Sequence, residues 1–368
     1  MWNFIQTVTA SWIDETVRLC NGFRRGLSNP FPTWEDPPPV TPFEVVAEYG
    51  KLRLRYYQAP GSAHLPPVLL IYALVKRPFV LDFQPGRSVV EALTTYGFPV
   101  YLTDWVPPTT KDTWRGLDAY VNQDLMQAVQ CIQTREKTDR VSILGYCLGG
   151  LLGAVYTALF PQTVKHYIAL ALPLDLSIRE IPVYALGAGL SPETVALITS
   201  TYGNCPAWMI HAGFTAMAPV HHAMGKFIDL YRQRERAGYA DTFALFEQWM
   251  NSDVPLAGQL FRELCIDLFR HNQLLRGQLQ VGTQRVDLRR ITCPVLNIIG
   301  EYDDVVHPYS SLPLLDHVSS LDKQDLLFPV GHMGLAVSST AHKELWPQVC
   351  HWVAERHSDC PPVPSSRV

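Results

Sequence analysis

The sequence predicts an α/β protein built on a mostly parallel, doubly wound sheet that carries an inserted helical cap. Three observations lead to this expectation. From residue 44 onward, short apolar runs alternate with helical stretches, the order that strands joined by crossover helices produce. The middle runs are apolar on both faces, as strands covered by helices on either side must be. The alternation stops near residue 176 and resumes near 285, and the stretch between has helical periodicity instead.

In chain order, residues 1–28 space Trp2, Phe4, Ile5, Val8, Trp12, Val17, Leu19 and Phe23 loosely at helical intervals, which predicts an amphipathic helix. "NPFPTWEDPPPVTPF" (29–43) reads as an extended proline-rich connector. Strands are expected at 52–57, 66–74, 98–105, 140–146, 165–175, 293–303 and 325–330, with helices at 87–96, 114–134, 148–160 and 339–356. "DTFALFEQWM" and "LFRELCIDLFRHNQLL" give the insertion its helical pattern. The tail "CPPVPSSRV" reads as disordered. The predicted division is therefore 1–43 (helix and connector), 44–175 (first part of the sheet domain), 176–284 (cap), 285–356 (second part) and 357–368 (tail).

Composition narrows the function. Of 368 residues, 47% are hydrophobic, enough for a large core. A formal net charge of -4 offers no basic field, so nucleic acid is not an expected partner. The eight cysteines form no C-x-x-C pair and no zinc spacing, so they are expected to be reduced thiols of a cytoplasmic protein, with no metal site. Asp14 and Glu15 interrupt the first apolar run, so no signal peptide is expected. No run approaches the ~18 uninterrupted apolar residues of a membrane span.

The chemistry centres on "LGYCLGGLLG" (144–153). An apolar strand runs into Cys147 and a helix leaves it, with Gly145 and Gly149 two residues to either side. Gly-x-Cys-x-Gly at a strand-to-helix junction is the thiol form of the nucleophile elbow of α/β-hydrolases. The turn strains the nucleophile's backbone, so its close neighbours must lack side chains. The helix N-terminus beyond it favours a thiolate and an oxyanion. Taken alone, the motif is also compatible with a buried structural cysteine.

A thiol nucleophile needs a base, and the base an orienting acid. This fold orders them nucleophile, acid, histidine. Asp303 follows a late strand, with Asp304 as the alternative acid, and His332 follows the last strand. His307, before Pro308, reads as a loop residue. The oxyanion donors are expected to be the backbone N–H of Leu148 and, by position in the loop after an early strand, that of Val75. Lys76 and Arg77 are candidates for cationic contacts to an anionic substrate, with surface solvation the competing reading. Asp104, Trp105 and Trp249 read as packing or cap residues.

Six ordered blocks now go beyond the generic motif: "LLIYALVKRPFVLDF", "YLTDWVPP" followed by "GLDAYV", "LGYCLGGLLG", "QWMNSDVPLAGQLFREL", "CPVLNIIGEYDDVVHP" and "GHMGLAVS". Over residues 40–355 the chain resembles the catalytic subunit of a polyhydroxyalkanoate synthase of the short, two-subunit type (class III or IV). The resemblance implies an acyltransferase with Cys147 as nucleophile, Asp303 as acid and His332 as base. It implies a (3R)-hydroxyacyl-CoA substrate, 3-hydroxybutyryl-CoA first among them, and a polyester product at whose granule surface the enzyme works. A second synthase subunit, a homo- or hetero-oligomer, and no cofactor beyond the CoA of the substrate are also implied. One position departs from the pattern: relatives often carry histidine directly after the acid, and this chain has Asp304. A cysteine hydrolase of the same fold, such as a thioesterase or dienelactone hydrolase, is the alternative enzyme. A granule-associated scaffold without catalysis is the alternative of another class.

Overall fold

The structure, a computed structural model, describes residues 36–61, 65–216 and 238–357. The helix expected over 1–28, residues 29–35 of the connector and all of the tail but residue 357 lie outside the described residues. The chain divides into two units. The larger is described over 38–61, 65–216 and 253–357; the smaller over 36–37 and 238–252.

Eight strands form the central sheet of the larger unit: β1 Glu44–Tyr49, β2 Leu52–Tyr57, β3 Val68–Ile71, β4 Val100–Trp105, β5 Val141–Tyr146, β6 Val164–Leu170, β7 Val295–Gly300 and β8 Lys323–Phe328. Their order across the sheet is β1-β2-β4-β3-β5-β6-β7-β8. Only β2 runs against the rest, pairing antiparallel with β1 and β4. All other pairs are parallel. The inner strands β3, β4, β5 and β7 are buried at every position, which is why they read as continuous apolar runs. The predicted strands are therefore present: 52–57 with the bounds expected, 325–330 shifted to Lys323–Phe328, and the others shortened at one or both ends. The run expected over 165–175 leaves the sheet at Ala171, whose φ is 50°.

The edge strand β1 is absent from the sequence expectation. Its residues EVVAEY are half-exposed or exposed throughout, so no alternating pattern marks it. The helix expected over 114–134 begins as a wide i→i+5 turn over Ala119–Leu125 and continues as a regular helix over Met126–Glu136.

Four helices that bear on the site are named here. Leu148–Leu159 (α1) follows β5 and is almost entirely buried. Pro182–Gly189 (α2) and Ala207–Thr215 (α3) lie in the stretch between β6 and β7. His332–Val337 (α4) follows β8. The same stretch supplies helices Pro192–Tyr202 and Gly258–Arg262 to the larger unit, whereas helix Tyr239–Met250 belongs to the smaller. Trp249 sits on that last helix, its ring 5.9 Å from that of Phe246. No helix of the described residues is long and apolar enough to cross a membrane.

A buried histidine ties two inner strands to the C-terminal helix. His166 on β6 lies 2.9 Å from Ser142 Oγ on β5 through Nδ1, and 3.1 Å from the Arg356 carbonyl through Nε2. Burial pushes its pKa down to about 4, against the hydrogen bond to Arg356. The unfolded chain takes up this proton near pH 6.5 and the folded one does not. Stability from this site is therefore complete above pH 6.5 and lost as pH falls toward 4, by roughly 2 kcal/mol at pH 4.5. Urea unfolding at pH 7 and 4.5 should show this loss in the wild type and not in His166→Gln. Equal pH slopes in the two proteins would refute the assignment.

Candidate active site

The elbow geometry follows from the glycines. Cys147 follows β5 with φ 55° and ψ -123°, a conformation that side chains rarely adopt. A Cβ on Gly145 would meet the Gly149 carbonyl oxygen and Gly150 Cα at 2.5 Å; one on Gly149 would lie 2.0 Å from the Ile71 carbonyl oxygen. Only glycine lets the turn close this tightly against β3. The Cys147 N–H donates to Leu170 O at 2.9 Å, and its carbonyl accepts from Gly150 and Leu151. The N–H groups of Leu148 and Gly149 thus start α1 with no intrahelical acceptor.

Asp303 and His332 converge on this turn. Asp303 follows β7 and is 2% exposed. Its Oδ1 accepts from Val305 N (2.9 Å) and Val306 N (2.7 Å), which fixes the carboxylate and turns Oδ2 toward the imidazole. That Oδ2 lies 2.7 Å from His332 Nδ1. A carboxylate only accepts, so Nδ1 carries the hydrogen and Nε2 remains for the sulfur. Burial works against the imidazolium. Yet the charges of Asp303 and Cys147, and hydrogen bonds to both, hold the His332 pKa well above its ordinary value. Asp304, the alternative acid, is exposed. His307 caps the short helix Pro308–Ser311, its Nδ1 accepting from Tyr309 N.

Two tyrosines, neither anticipated, build the walls. Tyr146, the residue before Cys147, stacks on the His332 ring at 5.0 Å between centroids and donates its hydroxyl to the His332 carbonyl at 3.3 Å. Its place inside the glycine-framed motif is the signal that could have found it. Tyr184 of α2 is buried with its hydroxyl 3.0 Å from Ser310 Oγ. Burial raises its pKa, and the charges of Cys147 and Asp303 add to this, which places α2 within electrostatic reach of the site.

The candidate substrate cations need correction. Lys76 and Arg77 are each 5% exposed, so neither is surface-solvated or offered at a cleft mouth. Lys76 Nζ lies 2.7 Å from Asp253 Oδ1, and Arg77 lies 3.2 Å from Asp104 Oδ1. A buried cation must be paired, and these are. Asp104 does more than pack: Arg53 and Arg55 also bind it, at 2.8 and 2.7 Å. Trp105 is buried and donates Nε1–H to the Tyr72 carbonyl at 3.0 Å. Val75 lies in the turn after β3, its carbonyl accepting from Val254 N at 3.0 Å.

Comparison with known proteins now adds identity to geometry. The family described as "Protein of unknown function (DUF3141)" matches residues 78–346. The poly(3-hydroxyalkanoate) polymerase subunit PhaC of Synechocystis is 32% identical over 96% of this chain and 95% of its own length. That of Allochromatium vinosum is 33% identical over 86% of this chain and 89% of its own. The chain belongs to the PhaC polymerase family. PhaC polymerases are acyltransferases. The PhaC of Haloferax mediterranei is 37% identical over 86% of this chain, which spans 64% of that relative's length. Among solved structures, a monoglyceride lipase of Saccharomyces cerevisiae aligns with TM-score 0.54 at 13% identity, covering 89% of this chain and 100% of that one. MenH of S. aureus aligns with TM-score 0.52 at 11% identity, covering 83% and 99%. The predicted α/β-hydrolase fold is thus the fold of this PhaC chain.

Proposed function

We propose that this PhaC-family chain polymerises (3R)-hydroxyacyl-CoA, 3-hydroxybutyryl-CoA first among them, through an acyl thioester on Cys147. The observation that carries the reading is the Asp303–His332 pair held against a cysteine on a strained elbow. The Cys147 thiolate attacks the thioester carbonyl, the C–S bond to CoA breaks, and His332 returns its proton to the departing CoA thiolate. One thioester replaces another, so the step is close to balanced in free energy. The 3-hydroxyl of a second acyl unit then attacks the acyl-cysteine. His332 takes its proton, a C–O bond forms, and the Cys147 sulfur leaves, which lengthens the polyester by one unit. The backbone N–H groups of Leu148 and Val75 are proposed to bind the oxyanion in both steps. The larger unit's helices between β6 and β7 are proposed to exclude water, which would otherwise divert the acyl group to hydrolysis.

The chemistry draws on no cofactor, because the substrate arrives activated as a thioester. A second synthase subunit, oligomeric assembly and residence at the polyester granule in the cytoplasm belong to the same proposal, on the strength of the family. Incubation with (R)-3-hydroxybutyryl-CoA tests it. CoA together with insoluble polyester is the expected product. CoA with free 3-hydroxybutyrate would identify a thioesterase of the same fold, and no CoA release with or without a second subunit would identify a non-catalytic chain.

A further inference from the structure

The loop between β3 and residue 77 is pinned at both ends and in its middle by polar side chains that take no part in the chemistry. At its start, Tyr72 N donates to Thr103 Oγ1 at 2.9 Å and Tyr72 O accepts from Trp105 Nε1 at 3.0 Å. At its end, Arg77 reaches Asp104 and the Trp105 carbonyl. In its middle, Lys76 pairs in antiparallel fashion with Asp253, and Val254 N donates to Val75 O at 3.0 Å. The Lys76 ammonium and Asp253 carboxylate, both about 95% buried, close this bridge at 2.7 Å. The other carboxylate oxygen of Asp253 lies 2.8 Å from Nδ1 of His211 on α3. Phe214 of the same helix places its ring 5.1 Å from the Lys76 nitrogen. The strap after Asp253 is also knitted to the approach to α3, since Cys205 and Leu256 exchange N–H···O bonds at 2.8 and 3.0 Å. Burial lowers the Lys76 pKa while the Asp253 charge opposes the shift, so the pair needs its partner to stay ionised.

We infer that Lys76 and Asp253 are positioning residues that hold the Val75 N–H against the Cys147 elbow, and that His211 couples this hold to α3. The inference rests on the proposed acyl transfer at Cys147. Its geometric basis is that the start of this loop, Ile71–Tyr72, lies in backbone contact with Gly149 at the head of α1. A loop so close to the elbow can aim an N–H at the oxyanion only while its far end is fixed. The ammonium–carboxylate pair supplies that fixed point inside the protein, where solvent does not weaken it. His211 makes the hold sensitive to where α3 sits, so that the oxyanion donor is set when that helix is in place over the substrate.

The test compares two reactions of one sulfur. Acyl transfer from (R)-3-hydroxybutyryl-CoA passes through an oxyanion; alkylation of Cys147 by iodoacetamide does not. Asp253→Asn removes the carboxylate charge that Lys76 faces at 2.7 Å, so the paired variant Lys76→Met/Asp253→Leu, which removes both charges, is measured beside it. His211→Ala, at a side chain 45% exposed, perturbs the same hold without threatening the fold. In the paired variant kcat for CoA release should fall roughly 10- to 100-fold, with KM and the Cys147 alkylation rate within about 3-fold of wild type. His211→Ala should show the same split at a few-fold. CoA release at the wild-type rate in the folded paired variant would overturn the inference, as would alkylation falling by the same factor as acyl transfer. CoA release that survives Cys147→Ala would instead overturn the proposed function beneath it.

Discussion

Cys147→Ala should abolish CoA release, and Cys147→Ser should lower it by about 1,000-fold or more, with the fold retained in both. The elbow keeps its strain whichever side chain it carries, because φ 55° is imposed by Gly145, Gly149 and the packing of β3. What changes is the atom offered to the thioester. A thiol gives up its proton to an imidazole base far more readily than a serine hydroxyl, which must be deprotonated during attack. Four of the other seven thiols are held out of this chemistry by burial. Burial pushes Cys205, Cys265, Cys293 and Cys350 up to about 12 and keeps them protonated at neutral pH. Loss of thioester absorbance with (R)-3-hydroxybutyryl-CoA measures the effect. Iodoacetamide adds a check, since substrate should protect Cys147. An alanine variant that releases CoA at the wild-type rate would remove the covalent mechanism.

The sheet and the three residues of the candidate site were legible in the sequence for one reason: each is marked by its neighbours along the chain. A buried parallel strand announces itself by its apolar run, as in "VLNIIG". The elbow announces itself by glycines two residues either side of Cys147. Asp303 and His332 follow from the order of strands. The sequence preferred Asp303 over Asp304 by its place at the strand end; which carboxylate the N–H groups of Val305 and Val306 capture is visible only in three dimensions. Lys76 and Arg77 were misread for a related reason. Their partners are far off in sequence, Asp253 lying 177 residues from Lys76, and no local pattern marks a cation that a distant carboxylate will bury. β1 was missed because an exposed edge strand need not alternate. Tyr184 was missed for the same reason, since its buried hydroxyl meets Ser310, 126 residues away.

Asp303→Asn should lower kcat for CoA release about 1,000- to 10,000-fold with little change in KM. The replacement fits, since its side-chain oxygen can still accept from Val305 and Val306. Its amide nitrogen then faces His332 Nδ1, and an amide N–H can only donate. The ring must turn to the tautomer with Nδ1 bare and Nε2 protonated, which leaves Nε2 unable to take a proton from the thiol or from the incoming hydroxyl. The charge is lost as well. In the wild type the carboxylate holds the His332 pKa above its ordinary value, so the folded protein keeps this proton to higher pH than the unfolded chain. The stabilisation is therefore fully present below the unfolded pKa of about 6.5 and is lost as pH rises from there through the folded value. Asp303→Asn should flatten that dependence and move the imidazole titration, followed by NMR of the ring protons, to lower pH. If the variant titrated where the wild type does, Asp303 would be a structural carboxylate that happens to touch the ring. If it titrated lower but kept full activity, the proton held at His332 would have no part in moving the acyl group.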